Sequence, residues 1–209
     1  MGLIYDFYGF PPHFYDYEFP NKGDPALAEQ ILNLLNDAGI QGEGVRRGLD
    51  HGVWASFACA FNSKTNPLKV PIVQVSLFDN EDPDKHYALG KAVSALRHEN
   101  VVIIVSGMTV HNLRDFRRSF GKGSGPLPYA VSFDEALKDA VEQPVDQRQE
   151  AMAAVLKRPD ARKAHPSFEH LLPIHIGAGA AGDDLGKQWW TMQEGSLSWG
   201  MYRFGEVNA

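Results

Sequence analysis

The hydrophobic pattern of the chain alternates between segments with helical spacing and short segments that are apolar throughout. Residues 68–78 and 101–105 are of strand length, and the second is a run of five β-branched residues. A strand that is apolar on both faces is typical of the centre of a sheet with helices on either side. Between these runs, residues 83–98 follow an Asp-Pro pair and place Ala and Leu at helical spacing. Strand, helix and strand in this order predict a right-handed βαβ unit with parallel strands.

Start and stop signals predict further helices and a closing strand. Asp24 and Pro25 suit the cap and first position of a helix, and Gly39 suits its end. Ser132 with Glu135 forms a capping box for another helix at 132–142. The other predicted elements are helices at 146–157 and 169–178 and a strand at 195–204. Together these elements predict an α/β fold, a three-layer sandwich whose central sheet is mostly parallel or mixed, with helices on both faces.

Composition narrows the class of protein. A chain of 209 residues has the length of one domain, and its net charge of −6 offers no basic surface for nucleic acid. No apolar run approaches the roughly 18 residues of a membrane span, so we expect no membrane partner. The start lacks the basic and apolar regions of a signal peptide, and the single Cys59 fits a reducing compartment, so we expect a cytoplasmic protein. The glycine-rich residues 121–126 predict a loop without the ending of a phosphate-binding motif.

His111 is a candidate functional residue because of its place after the most apolar segment. It follows residues 101–105 and the pair Ser106 and Gly107. In open α/β sheets, ligands collect at the carboxyl ends of the strands. Gly107 is expected to let the backbone turn sharply there, so that His111 faces a cleft. The alternative is a histidine in a surface turn.

A second candidate site lies where His165, Glu169 and His170 occur close together. Imidazole and carboxylate groups at this spacing suit a divalent metal ion, and a helix starting near Pro166 would hold His170 on rigid backbone. The alternative is a capped helix with a surface acid and a solvated histidine. A zinc hydrolase that uses all three side chains is weaker, because the spacing is not the His-Glu-x-x-His pattern.

His51 is the third candidate, between Asp50 and Gly52. A carboxylate beside an imidazole sets its tautomer and basicity, and Asp50 is the neighbour in sequence. Gly52 would let the backbone approach a ligand closely. The alternative is a turn before a helix in which Asp50 is the N-cap.

Four segments that carry these residues resemble one known family: Ile4–Pro12, Gly48–Trp54, Ser106–Arg114 and His165–Pro173. Together they are similar to class III extradiol ring-cleavage dioxygenases, in the branch called 4,5-DOPA dioxygenase extradiol-like. The resemblance implies an enzyme that opens a catechol-type aromatic ring with dioxygen. It also implies a divalent non-haem metal, Fe(II) or Zn(II), held largely by histidines.

The resemblance assigns roles to particular residues. His170, the last residue of the Pro-x-x-Glu-His motif, matches a metal ligand, and His165 ranks below it. His111 matches a histidine at the metal that acts either as a ligand or as the acid–base group that moves the catechol proton. His51 matches a residue of the substrate pocket, which we expect to hydrogen-bond a catechol oxygen or bound dioxygen.

The resemblance also implies what stands ahead of the first matching segment. Family members open with strands ending in His-Gly-Ser-Pro and near Ser-Ala-His-Trp, whose histidines are metal ligands, and this chain has no residues that match them. We therefore expect residues 1–209 to be a single catalytic-type domain, truncated at the N-terminus relative to the family. One alternative is that His13 or His165 substitutes. Another is a degenerate or truncated, non-catalytic member that binds an aromatic ligand or a protein partner. An exposed sheet edge would also allow a homodimer.

Overall fold

The computed structural model of the chain describes residues 2–119 and 125–206. Its contacts divide the chain into two compact units, Met1–Ser76 and Leu77–Ala209. The single domain expected for residues 1–209 stays a prediction. Most of the predicted glycine-rich loop at 121–126 lies outside the described residues.

The first unit contains a short 3-10 helix and two α-helices. The 3-10 helix is Pro12–Phe14, α1 is Pro25–Asp37 and α2 is His51–Ala60. The rest of the unit is extended or irregular, including residues 68–76, for which a strand was expected. Its core is aromatic and is built around Phe19, Leu49 and Trp54.

Helix α1 shows why its boundaries could be predicted. The Asp24 carboxylate accepts the backbone N–H groups of Ala26 and Leu27 at 3.0 and 3.1 Å, which satisfies donors that a helix start leaves open. Gly39 follows the helix with a φ of 74°, a conformation that glycine adopts without steric cost. Both ends therefore lie where the sequence predicts them.

The second unit is mixed helix and sheet. The helices are α3 (Pro83–Val93), α4 (Leu113–Ser119), α5 (Pro128–Val141), α6 (Val145–Val155), α7 (Ala161–Ala164) and α8 (Leu172–Ala180). A 3-10 helix, Ser94–His98, continues α3. The strands are β1 (Val110–His111), β2 (Gly186–Trp190), β3 (Gln193–Glu194), β4 (Leu197–Ser198) and β5 (Met201–Phe204). Helix α5 begins before the predicted Ser132, because Pro128 supplies a first-turn residue whose missing N–H costs nothing there.

The strands in the described part of the chain pair antiparallel, which corrects the predicted parallel βαβ unit and the expected mostly parallel or mixed sheet. One sheet has the order β1-β4-β3 and the other pairs β2 with β5. The apolar run 101–105 is extended but forms no strand among the described residues. Val102 and Ile104 are 81% and 58% exposed, while Val105 contacts α8 near Gly177. The mixed α/β class is confirmed; the three-layer arrangement stays a prediction.

Helices α3 and α8 pack against each other through glycine. A side chain on Gly90 would collide with the backbone of Ile176, and one on Gly179 would collide with the backbone of Tyr87. The two helices therefore touch backbone to backbone, which only residues without a Cβ allow. This contact fixes the position of α8, and the segment with His170 leads directly into that helix.

Two arginines bind the carboxyl end of α8. Arg97 donates to the carbonyl oxygens of Ala180 and Ala181 at 3.1 and 2.6 Å and pairs with Asp184. Arg148 is fully buried and donates to the carbonyls of Gly182 and Asp184 at 2.8 and 2.6 Å. Cationic groups at this end donate hydrogen bonds to carbonyls that have no partner within the helix, and they complement the helix dipole.

Within residues 2–119 and 125–206, no helix combines the length and the apolar character that a membrane span requires.

Candidate functional site

His111 lies on a short strand that is paired on one side. It is the second residue of β1, opposite Leu197 of β4, and Val110 lies opposite Ser198. Thr109 extends this pairing, because its N–H donates to the Ser198 carbonyl at 3.2 Å. The backbone of His111 is therefore fixed by the segment that forms β4.

His170 lies in a turn before α8 rather than on a helix, which corrects the expected helical position. The chain between α7 and α8 bends and turns, and α8 begins at Leu172. The His170 carbonyl accepts the Met108 N–H at 2.8 Å. Gly107 allows this contact, because a Cβ there would collide with the same carbonyl. Gly107 was expected to allow a sharp turn of the backbone, but its φ does not lie in the left-handed region. Its missing side chain instead gives room to the His170 carbonyl.

The rings of His111 and His170 lie against each other. Their centroids are 3.8 Å apart and their planes are inclined by 13°, a stacked arrangement. The sequence separates these residues widely, and the structure brings them together, as the prediction of a shared site requires. Glu169 extends the pair, with its Oε1 atom 3.2 Å from Nδ1 of His170. Burial alone would raise the pKa of Glu169, but hydrogen bonds from Ser167 and the Glu169 backbone, together with the charge of His170, lower it.

The donor set fits part of a metal site. Two adjacent imidazoles suit neighbouring positions around a divalent ion such as Fe(II) or Zn(II). Among residues 2–119 and 125–206, however, no group of three or more His, Cys, Asp or Glu side chains could hold a metal ion. The described residues therefore provide a histidine pair and not a complete coordination sphere.

His165 connects the two histidine segments from inside the core. It is fully buried between Phe133 and Phe168, and its Nε2 donates to the Thr109 carbonyl at 2.7 Å. That contact fixes the ring as the Nε2-protonated tautomer. His165 is thus a structural link between the chain leading to His170 and the strand that carries His111. A zinc hydrolase site of His165, Glu169 and His170 is not supported, because these three side chains form no such cluster.

Other buried polar groups hold the neighbouring segments, and no pattern in the sequence points to them. Asn112 donates to the Lys163 carbonyl at 2.7 Å, and Ser196 donates to the Asn112 carbonyl at 2.6 Å. The buried carboxylate of Asp134 accepts hydrogen bonds from three side chains of the β-rich segment. These donors are Thr191, Gln193 and Ser198. Ser198 belongs to β4, so this network supports the strand opposite β1.

His51 belongs to the first unit and is the first residue of α2. Its Nδ1 lies 2.8 Å from Oδ1 of Asp6, and the same oxygen accepts its backbone N–H at 3.0 Å. The expectation that Asp50 sets the state of this ring is wrong, because the Asp50 carboxylate contacts Gln74 and Arg47. A role of His51 in the same site as His111 and His170 stays a prediction.

Buried neutral histidines should make the protein sensitive to mild acid. Burial lowers the pKa of both His165 and His175 to about 4, despite their hydrogen bonds to backbone carbonyls. The unfolded chain takes up these protons near pH 6.5 and the folded chain does not, so stability is complete above pH 6.5 and falls below it. We expect a loss of about 2 kcal/mol per histidine between pH 8 and pH 5.

Urea unfolding at pH 8, 6 and 5, followed by circular dichroism, tests this expectation. His175→Gln should reduce the pH dependence by about half, because His165 still contributes, while the same change at the exposed His13 should leave it as it is. Carboxylates lose their contributions only near or below pH 4.5, so they do not interfere in this range. Equal unfolding midpoints at all three pH values would contradict the expected effect.

Comparisons with known proteins identify the family of the chain. The whole chain, residues 1–209, matches the family described as the catalytic LigB subunit of aromatic ring-opening dioxygenase. It is 32% identical over 208 residues to a 4,5-DOPA dioxygenase extradiol of Beta vulgaris, covering 96% of this chain and 73% of that protein. It is 35% identical over 201 residues to dioxygenase tasH of Hapsidospora irregularis, covering 90% of this chain and 60% of that protein.

A relative from Escherichia coli K12 and a solved structure from the same organism add to these matches. The relative, a 4,5-DOPA dioxygenase extradiol, is 31% identical, and the match covers 85% of this chain and 63% of that protein. The crystal structure of an uncharacterized protein shares 29% identity with a TM-score of 0.74, covering 89% of this chain and 75% of that chain. This chain thus spans less than two thirds of the length of some relatives. It belongs to the LigB family of aromatic ring-opening dioxygenases.

Proposed function

We propose that this protein is a metal-dependent extradiol dioxygenase that opens a catechol-type ring with dioxygen. The observation that carries the proposal is the stacked pair of His111 and His170, with ring centroids 3.8 Å apart. Membership of the LigB family and relatives named as dioxygenases support the same reaction class. The proposed substrates are a catechol and dioxygen.

The proposed division of labour follows from the surroundings of each ring. His170 would hold the divalent metal, Fe(II) or Zn(II), because Glu169 beside its Nδ1 can orient the ring. Bound there, a divalent ion of this kind supplies coordination positions for the two catechol oxygens and for dioxygen. His111 lies against His170 and would either share the ion or accept the proton of a catechol hydroxyl. His51 is proposed as a further group that hydrogen-bonds a catechol oxygen or bound dioxygen, and as the alternative to His111 for taking the catechol proton.

Loading with metal tests the proposal directly. We expect protein purified without oxygen and supplied with ferrous iron to retain about one equivalent of metal. On addition of a simple catechol and air, it should consume oxygen and form a yellow ring-opened product. A parallel sample with zinc shows whether that ion occupies the same site without supporting oxygen uptake. Absence of both bound metal and oxygen uptake would overturn the proposal.

One observation favours a second function. The described residues contain no cluster of three metal-binding side chains. A non-catalytic member that binds an aromatic ligand or a protein partner would need no such cluster. Calorimetric titration of the iron-free protein with the same catechol distinguishes the two functions. Binding without metal and without oxygen uptake would favour the second one.

A further inference from the structure

The N-terminal segment brings a carboxylate to a histidine that is remote in sequence. Oδ1 of Asp6 lies 2.8 Å from Nδ1 of His51 and accepts the His51 backbone N–H at 3.0 Å. A single oxygen thus contacts both the ring and the start of α2. Burial alone would raise the pKa of Asp6, but the hydrogen bonds from His51 lower it, so the carboxylate is charged at neutral pH.

Backbone contacts place Asp6 at this point. The Ile4 N–H donates to the Leu49 carbonyl at 2.8 Å, and the Trp54 indole donates to the Ile4 carbonyl at 3.0 Å. These hydrogen bonds hold the N-terminal segment against the first turn of α2. Hydrogen bonds of the N-terminal segment therefore hold Asp6 beside His51, and the contact does not depend only on the attraction between two half-exposed side chains, which is weak at a surface.

The surroundings of His51 are polar on one side and aromatic on the other. The rings of Phe7 and His51 are nearly perpendicular with centroids 6.4 Å apart, and the centroids of Phe7 and Trp54 are 5.9 Å apart. Two charged groups at this turn, Asp50 and Arg47, pair with each other at 3.3 Å. Asp6, by contrast, contacts the His51 ring directly.

We propose that Asp6 is a positioning residue that holds His51 as the Nδ1-protonated tautomer and so makes Nε2 the proton-accepting nitrogen. In the reaction proposed above, on which this inference rests, Nε2 takes the proton of a catechol hydroxyl. The O–H bond of that hydroxyl breaks, the His51 side chain becomes an imidazolium, and the Asp6 carboxylate stabilises its positive charge. The same proton is returned to the ring-opened product. A carboxylate paired with an imidazole in this way is a general device for orienting acid–base histidines.

The tautomer of His51 can be measured without any activity. In protein labelled with ¹⁵N-histidine and recorded at pH 8.5, where an imidazole is neutral, the two ring nitrogens give distinct shifts. His51→Gln identifies the signals by their disappearance. We expect the Nδ1-protonated form to dominate in the wild type and to give way to a mixture in Asp6→Ala. Asp50→Ala removes the same charge one residue away from His51 and should leave the tautomer unchanged.

Turnover of a catechol supplies the second measurement. Asp6→Ala should lower kcat by at least about 10-fold, and by no more than the roughly 10²–10⁴-fold that loss of an acid–base group costs. In a His51→Gln background the same change should have almost no further effect, because Asp6 acts through His51.

These measurements separate failure of the two proposals. If Asp6→Ala leaves the tautomer as in the wild type, or slows the His51→Gln enzyme as much as the wild type, Asp6 is not a positioning residue. If Asp6→Ala changes the tautomer but neither the wild type nor Asp6→Ala consumes oxygen, Asp6 remains a positioning residue for His51. The proposed ring-cleavage function is then contradicted.

Discussion

Replacement of His170 by alanine is expected to abolish both metal binding and oxygen uptake. The side chain is the proposed metal ligand, and the described residues offer no cluster that could take over its role. Loss of a residue that merely orients a metal ligand already costs about 10- to 100-fold in affinity or activity, so loss of the ligand itself should cost more than about 100-fold. Metal analysis of the dialysed protein and an oxygen electrode measure the two effects.

The same measurements on His111→Ala decide between the two roles of that residue. If His111 shares the ion, its loss should resemble that of His170 in both measurements. As the acid–base group alone, it should leave metal bound while turnover falls by about 10²–10⁴-fold. His98→Ala is the matched control, because this exposed histidine at the end of a 3-10 helix contributes neither ring of the stacked pair. Full metal content and turnover in His170→Ala would remove the site from consideration.

Gly179→Ala should destabilise the second unit by about 3 kcal/mol or more, at the upper end of what overpacking costs. An added Cβ would collide with the backbone carbonyl of Tyr87 and lie 3.2 Å from the Lys91 N–H. Backbone atoms of α3 cannot rotate away as a side chain can, so α3 and α8 must separate along their length. The change in urea unfolding free energy measures this cost.

Gly177→Ala provides a control on the same helix. Its Cβ would meet the side chain of Val105 at 3.0 Å, and a side chain can move by a few tenths of an ångström. Both substitutions gain the same helix propensity, about 1 kcal/mol, so the difference between them isolates the backbone collision. We expect Gly177→Ala to be close to neutral. Equal stabilities for the two variants would mean that α3 and α8 do not make the described contact.

Local signals in the sequence predicted the helices well. The caps of α1 and α3 could be predicted from Asp24 and Asp82, whose carboxylates accept the N–H groups of the residues that follow. These interactions involve residues two and three positions apart, so the sequence contains all of the information. The start of α5 was predicted too late, because a capping-box pattern at Ser132 occurs inside a helix that Pro128 begins.

The pairing of strands could not be predicted in the same way. The run 101–105 has the composition of a central strand, yet Val102 and Ile104 are exposed and no strand pairs with it among the described residues. The amino-acid composition of a segment indicates whether it favours an extended conformation, but it does not indicate which strand pairs with it. Strands such as β1 and β4 are two residues long, too short to show any alternation.

Candidate residues were easier to find than their contacts. His111 could be selected because a polar side chain after an apolar segment needs a cleft, and His170 because His and Glu close together in sequence suit a metal ion. The structure places the two histidine rings together. Asp6 was missed as the partner of His51, since sequence reasoning favoured the adjacent Asp50. His165 resembled a ligand in sequence, and only its burial against Thr109 shows a structural role.

The backbone around His111 is completed by a strand near the end of the chain, and this has a consequence for synthesis on the ribosome. β1 has Ser198 as its partner, so its pairing with β4 cannot close until that residue has emerged. Contacts between residues so distant in sequence form slowly, whereas nearby helices form as they appear. We infer that the nascent chain acquires its helices first, and that the backbone of His111 gains its pairing partner only once Ser198 has been made.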